Sequence, residues 1–189
     1  MSNEPPHVAG DTFKWEQAAS DRGLKVRRAA RVLLVDEFDR VLLAKGHDAD
    51  RPSRKWWFTV GGGIDPGESP AGAALRELYE ETGIRLDPAT LVGPVVRRTD
   101  IFDFETEHIL QREVFFFARI SGAPPLSRVG WTDVENSFLE EMAWLSVTDI
   151  AASQIEVFPA NLAQVVTRLL AGWDGSVIDL GLADRGLDD

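Results

Sequence analysis

Residues 61–84 read GGGIDPGESPAGAALRELYEETGI, and they decide how the rest of the chain is read. Three glycines open the stretch, Asp65-Pro66-Gly67 makes a turn, and a helix follows. Ser69 suits the N-cap, Pro70 the first helical position, and Gly83 the C-terminal stop. On this helix Glu77, Glu80 and Glu81 stand at i, i+3 and i+4. At about 100° of rotation per residue they share one arc roughly 100° wide. Ala71, Ala74, Leu75, Leu78 and Thr82 take the adjoining arc and are expected to face a core. Arg76 lies one turn before Glu80, where the two can pair.

Three carboxylates side by side repel one another, more strongly where water is excluded. A divalent, oxygen-loving cation removes that repulsion, and Mg²⁺ is commonly held by carboxylates, waters and substrate phosphates. The plain alternative is a solvated acidic face. The glycine turn, a further glutamate at Glu68 and the closing Gly83-Ile84 set this helix apart from an ordinary Glu-rich one.

Gly62, five residues, Glu68, seven residues, Arg76-Glu77-Leu78, one residue, Glu80-Glu81, one residue, Gly83-Ile84: this pattern resembles the signature of the Nudix hydrolase family at every fixed position. The resemblance implies an α/β fold, an α/β/α sandwich around a mixed β-sheet. It also implies Mg²⁺- or Mn²⁺-dependent hydrolysis of a nucleoside diphosphate linked to another moiety. Carried over by position, Glu80, Glu81 and the Gly61 carbonyl become metal ligands. Glu77 becomes a base or further ligand, Arg76 orients the carboxylates, and Glu68 is an outer metal or structural partner. One departure precedes the glycines: relatives often carry proline where this chain has Val60.

The chain has 189 residues, 44% of them hydrophobic and 27% charged, which suits a single globular domain. Its net charge of −11 argues against a nonspecific nucleic-acid binder but not against small phosphorylated nucleotides, whose site is governed by local cations. There is no cysteine, hence no disulfide framework and no thiolate site. No apolar run or leader-like N-terminus appears, so the expectation is a cytoplasmic protein with no membrane partner; a homodimer is left open.

Three segments are expected: an extension over 1–23 with one short helix near Phe13 to Ser20, a domain over 24–173, and a loosely held tail over 174–189. Val26 to Val35 and Arg40 to Lys45 read as a hairpin about Asp36 to Asp39, and Trp56 to Val60 as a strand entering the glycines. Leu91 to Thr99 and Leu110 to Ile120 read as strands joined by a polar connection over 100–108, and Trp131 to Phe138 as irregular. Ala143 to Ser146 reads as a short strand, followed by a helix from Thr148-Asp149 and another over Pro159 to Trp173.

Outside the signature, Glu140 and Glu141 lie where relatives supply a carboxylate from a loop, which makes them rivals of Glu77 for the base; Glu77 is preferred because a helix fixes its position. Glu105 and Glu113 are weaker candidates. Arg97, Arg98 and Arg112 are candidate phosphate clamps, against a plain fate as surface ion pairs. Trp57, Phe102, Phe104 and Trp131 could stack on a base or simply fill the core. The basic residues Lys25, Arg27, Arg28 and Arg31 read as a solvated patch. Spacing tags of several Nudix branches are absent: Thr99-Asp100 and Ile101 stand where a proline and a tyrosine would mark them. An isomerase of the same fold would use a cysteine, and a nucleotide sensor would be expected to lose signature glutamates; neither fits.

Overall fold

The computed structural model describes residues 25–48, 51–104, 107–127, 130–131 and 133–182. Nine strands form one mixed sheet: β1 (Lys25–Val35), β2 (Val41–His47), β3 (Lys55–Thr59), β4 (Gly61–Gly63), β5 (Val92–Phe104), β6 (Glu107–Arg119), β7 (Leu139–Leu145), β8 (Glu156–Phe158) and β9 (Ile178–Leu182). The main path runs β8-β3-β2-β1-β6-β5-β9, with β4 paired to β1 and β7 to β2. Among the described residues the α-helices are α1 (Pro70–Thr82), α2 (Asp133–Phe138), α3 (Val147–Ala151) and α4 (Leu162–Leu170).

β1 is the spine. Its parallel pairing with β6 runs in unbroken register from Lys25↔Ile109 to Val35↔Arg119. The β1–β2 turn is tied by Asp36, whose Oδ1 accepts from the amides of Phe38 (3.0 Å) and Arg40 (2.8 Å). Leu33, Val35, Leu43 and Phe115 face a core covered by α3 and α4, with Leu162, Val166 and Leu169 packed on them. Ala30, Val32, Leu34 and Phe116 face the opposite core, covered by Ala73, Ala74 and Leu78 of α1. Period-two alternation along β1 thus feeds both layers of the sandwich.

Five expectations need correction. Residues 139–145 form a strand, so Glu140 and Glu141 lie on β7 rather than on a loop. Residues 133–138 are helical rather than irregular. The polar connection between β5 and β6 is mostly strand, because their pairing extends to Phe104↔Glu107. The expected loose tail contains β9, which pairs in parallel with β5 through Val96↔Ile178 and Arg97↔Asp179. The helix anticipated over Pro159 to Trp173 is shorter, at Leu162–Leu170. The anticipated helix near Phe13 to Ser20, together with Glu105, lies outside the described residues. Among the described residues no helix is long and apolar enough to cross a membrane.

Candidate active site

α1 is anchored at both ends. Ser69 Oγ accepts from the Gly72 amide at 3.1 Å, and Gly83, at φ 76°, donates its N–H to the Tyr79 carbonyl at 2.8 Å. The last turn is also held from outside: Ser127 donates its amide to the Thr82 carbonyl at 2.9 Å, and Trp131 Nε1 donates to the Glu81 carbonyl at 2.7 Å. Trp131 is therefore buried against this helix end rather than offered to a ligand. These caps fix the half of α1 that carries the glutamates.

The glycines let that half approach β1. Gly61 sits at φ 130°, and a Cβ there would come within 2.3 Å of the Ala30 carbonyl oxygen. A Cβ on Gly62 would lie 2.5–2.7 Å from the carboxylate atoms of Glu77. Glu81 passes beneath, 6% exposed, its Oε2 accepting from the Gly61 amide at 2.8 Å. The acidic arc is therefore graded: Glu81 is buried, the Glu77 side chain is 13% exposed and that of Glu80 is 47% exposed.

Arg76 gathers the carboxylates. Its Nε and Nη2 bond the two oxygens of Glu68, both at 2.9 Å, and Nη2 also donates to the Gly63 carbonyl at 2.9 Å. Nη1 donates to Glu77 at 2.9 Å and to Glu80 at 3.0 Å. The bidentate Arg76 contact is the main reason that the Glu68 carboxyl titrates below the usual carboxylate range.

Behind the glycines lies a network that only the fold reveals. Arg31 Nε donates to Glu113 at 2.6 Å, while Nη1 donates to the carbonyls of Thr59 (2.9 Å) and Gly61 (3.0 Å). Glu113, 2% exposed, also accepts from Arg98 Nη1 and Gln111 Nε2, each at 2.9 Å, and Arg98 pairs further with buried Asp100. Burial alone would raise the Glu113 carboxyl, but Arg31 and Arg98 outweigh it and hold the group low. Arg98, anticipated as a phosphate clamp, is instead committed to these two acids inside the sheet.

The remaining candidates scatter. Arg97 is exposed and pairs across the ladder with Val114; Arg112 stands beside Arg28 in register. Trp57 packs partly into the α4-side core, with the Lys45 ammonium 5.6 Å from its ring centroid. Glu141 pairs with Lys45 at 2.8 Å, and Glu140 with Lys55 at 2.6 Å. Phe102 lies on β5 opposite Ile109, and its side chain is outside the described residues. Sequence reasoning missed Arg31, whose partner Glu113 is 82 positions away.

The donor set at the glycines fits a hard divalent cation: Glu77, Glu80, Glu81 and a backbone carbonyl offer oxygen only. Gly62 supplies the room that lets the Glu77 carboxylate stand against the loop. Among the described residues no three acidic or histidine side chains already converge as a ligand cluster, in keeping with Arg76 holding Glu77 and Glu80.

Known proteins resemble this chain in sequence and in fold. The model of the NUDIX domain matches residues 25–168. Over 78 residues the chain is 37% identical to diphosphoinositol polyphosphate phosphohydrolase 3-alpha of Homo sapiens, covering 41% of this chain and 45% of that protein. It is 38% identical over 71 residues to diphosphoinositol polyphosphate phosphohydrolase 2 of Mus musculus, covering 38% and 37%. The chain thus spans less than half the length of these relatives. In fold it resembles the MutT protein of Methanosarcina mazei Go1, with TM-score 0.53 and 21% identity over 78% of this chain and 95% of that one. The Ap4A hydrolase of C. elegans gives TM-score 0.55 and 18% identity over 78% and 99%. The family match runs from β1 into α4 and encloses the whole carboxylate site, so the chain belongs to the Nudix hydrolase family.

Proposed function

We propose that this chain hydrolyses a diphosphate linkage in a small phosphorylated substrate, a nucleoside diphosphate joined to another moiety or a nucleoside triphosphate. One observation carries the reading: α1 and the glycine strand bring Glu68, Glu77 and Glu80 around Arg76, with Glu81 on the Gly61 amide beside them. Glu77, Glu80, Glu81 and the Gly61 carbonyl are the groups that would hold Mg²⁺ or Mn²⁺. Such a cation, when bound, supplies charge neutralisation on the phosphoryl oxygens and lowers the pKa of a water.

The chain's own residues do the rest. Attack by water forms a new O–P bond as the bridging P–O bond breaks, leaving two phosphorylated products. Glu77 accepts the proton of that water, and Arg76, gripping one of its oxygens, fixes the direction of the carboxylate. Its place on a capped helix favours it over Glu140 and Glu141 of β7, which are engaged by Lys55 of β3 and Lys45 of β2. The setting on this reading is the cytoplasm, with neither nucleic acid nor membrane as partner, in keeping with the net charge of −11.

A second reading, a diphosphorylated inositol polyphosphate, is favoured by the names of the relatives and by the exposed Lys25, Arg27 and Arg28 that open β1. The test is a panel of nucleoside triphosphates, nucleotide sugars, dinucleoside polyphosphates, ADP-ribose and diphosphoinositol polyphosphates with Mg²⁺ or Mn²⁺, following phosphate or nucleoside monophosphate release. Glu77→Gln should lower kcat roughly 10²- to 10⁴-fold with little change in KM. Release from no member of the panel sinks the reading; loss with Glu141→Gln but not Glu77→Gln moves the base to β7.

A further inference from the structure

Several arginines among the described residues are committed to acids. Arg31 holds Glu113, Arg76 holds Glu68, Glu77 and Glu80, and Arg98 holds Asp100 and Glu113. In the β1–β2 turn, just before β3 and at the end of β6, Arg40, Arg54 and Arg119 pair with Asp36, Glu156 and Asp39. Arg27 differs. It is exposed on β1 and makes no hydrogen bond, ion pair or ring contact with any described residue. Yet its position is not on an outer rim. A Cβ on Gly63 would lie 3.6 Å from Arg27 Nη2 and 3.8 Å from Nε, so the guanidinium runs alongside the last glycine of the site strand.

Strand geometry explains the placement. Arg27 and Arg31 are four residues apart, so both side chains leave the same face of β1. Arg31 reaches the Gly61 carbonyl, while Arg27 lies along Gly63. The two glycines are two strand residues apart, roughly 7 Å, a step one phosphate chain can cover. Gly63 offers no side chain to fill the space beside Arg27, and its carbonyl is drawn the other way by Arg76. The result is a planar five-donor fork beside Gly63, with no partner among the described residues, in a chain with 31 acidic and 20 basic side chains. Such a fork matches the oxygens of a phosphate.

We propose that Arg27 is a substrate-binding residue that takes a phosphate flanking the scissile diphosphate linkage; this rests on the reading of the site given above. The test compares wild type, Arg27→Gln and Arg27→Lys with the best substrate of the panel. Loss of a charge-assisted contact should raise KM roughly 10- to 100-fold in Arg27→Gln, with kcat within about threefold of wild type. Arg27→Lys should recover part of the loss, because it keeps the charge and gives up the fork. The melting temperature should not move, since the exposed side chain makes no hydrogen bond, ion pair or ring contact with any described residue. An unchanged KM in Arg27→Gln, or a lower melting temperature with a fall in kcat alone, overturns the assignment. Calorimetric titration of inorganic pyrophosphate with Mg²⁺ reads the same site without turnover. Wild type should bind at least about tenfold more tightly than Arg27→Gln. Equal affinities overturn the proposal even if the panel identifies a substrate. A panel with no turnover, but with this difference in affinity, sinks the hydrolytic reading and leaves Arg27 as a phosphate ligand.

Discussion

Replacing Gly62 by alanine isolates the position of one carboxylate. The added Cβ would lie 2.5 Å from Glu77 Oε2, 2.6 Å from Cδ and 2.7 Å from Oε1, and every one of these atoms is the end of a flexible side chain. Ordinary contact begins near 3.4 Å, so the carboxylate must retreat by about 1 Å or leave its rotamer. A χ angle pushed about 30° off its well costs on the order of 1 kcal/mol, a small fraction of the stability of a domain. Gly62 is not among the glycines at positive φ, so alanine imposes no backbone strain. The expectation is a melting temperature within about 4 °C of wild type. Catalysis should suffer far more, because misplacing a reacting group by 1 Å can cost about 10²-fold in rate. Gly61→Ala is the contrast: there the Cβ meets backbone, 2.3 Å from the Ala30 oxygen and 2.6 Å from the Arg31 Cα, at φ 130°. It should lower the melting temperature steeply. Differential scanning calorimetry beside steady-state kinetics reads both. Wild-type kcat in Gly62→Ala would refute the idea that the Glu77 carboxylate must stand against the glycine loop.

Three further outcomes follow from the same contacts. Arg76→Ala should lower the melting temperature by several degrees, since the exposed share of Arg76 limits its contribution to about 1–2 kcal/mol. It should also enlarge the stabilisation by Mn²⁺, because three carboxylates lose their shared counter-charge; equal shifts in wild type and variant would contradict this. In the wild type, millimolar Mg²⁺ or Mn²⁺ should raise the melting temperature by mass action, and Glu80→Gln/Glu81→Gln should abolish the effect. A wild-type curve indifferent to both ions tells against the ligand set. Glu113 is held low, so its contribution is complete above the ordinary carboxylate pKa near 4.3 and is lost as pH falls through its lowered value in the fold. Glu113→Gln should therefore cost roughly 3 kcal/mol near pH 7 and flatten the loss of stability below pH 4. Urea midpoints from pH 3 to 7 test this, and parallel curves would exclude it.

The parts of the site legible in the sequence are those fixed by local geometry. Ser69, Pro70 and Gly83 bracket α1 correctly because caps act within one turn, and the hairpin about Asp36 follows from the turn residues themselves. Arg76 was also legible as the partner of Glu80 at i+4, but its bidentate hold on Glu68 depends on how the 64–69 turn folds back. The Arg31–Glu113–Arg98 network was out of reach, because it requires the parallel register of β1 with β6 across 82 positions. Of the α1 arc, Ala74, Leu78 and Thr82 are buried as expected, but Ala73 and Glu81 are buried too, while Ala71 and Leu75 are only half-buried. A carboxylate in the core contradicts simple amphipathic counting, and only the Gly61 amide explains it. Glu140 and Glu141 hid β7, because two adjacent charges break the alternation by which a strand is recognised; the lysines of β2 and β3 that offset them come from far along the chain.

The pairing of β9 with β5 bears on how the molecule behaves at high concentration. β5 runs from Val92 to Phe104, and from Val96 to Thr99 its outer row of amides and carbonyls is covered by Ile178–Leu182. Bare strand edges recruit other chains, and long ones are templates for aggregation. Five residues well away from the carboxylates therefore protect the sheet from its own copies. Shortening the chain before Ile178 would leave the glutamates, glycines and Arg76 in place while exposing that edge. The loss would appear as light scattering that grows with protein concentration, in samples whose freshly diluted fraction still carries an intact site.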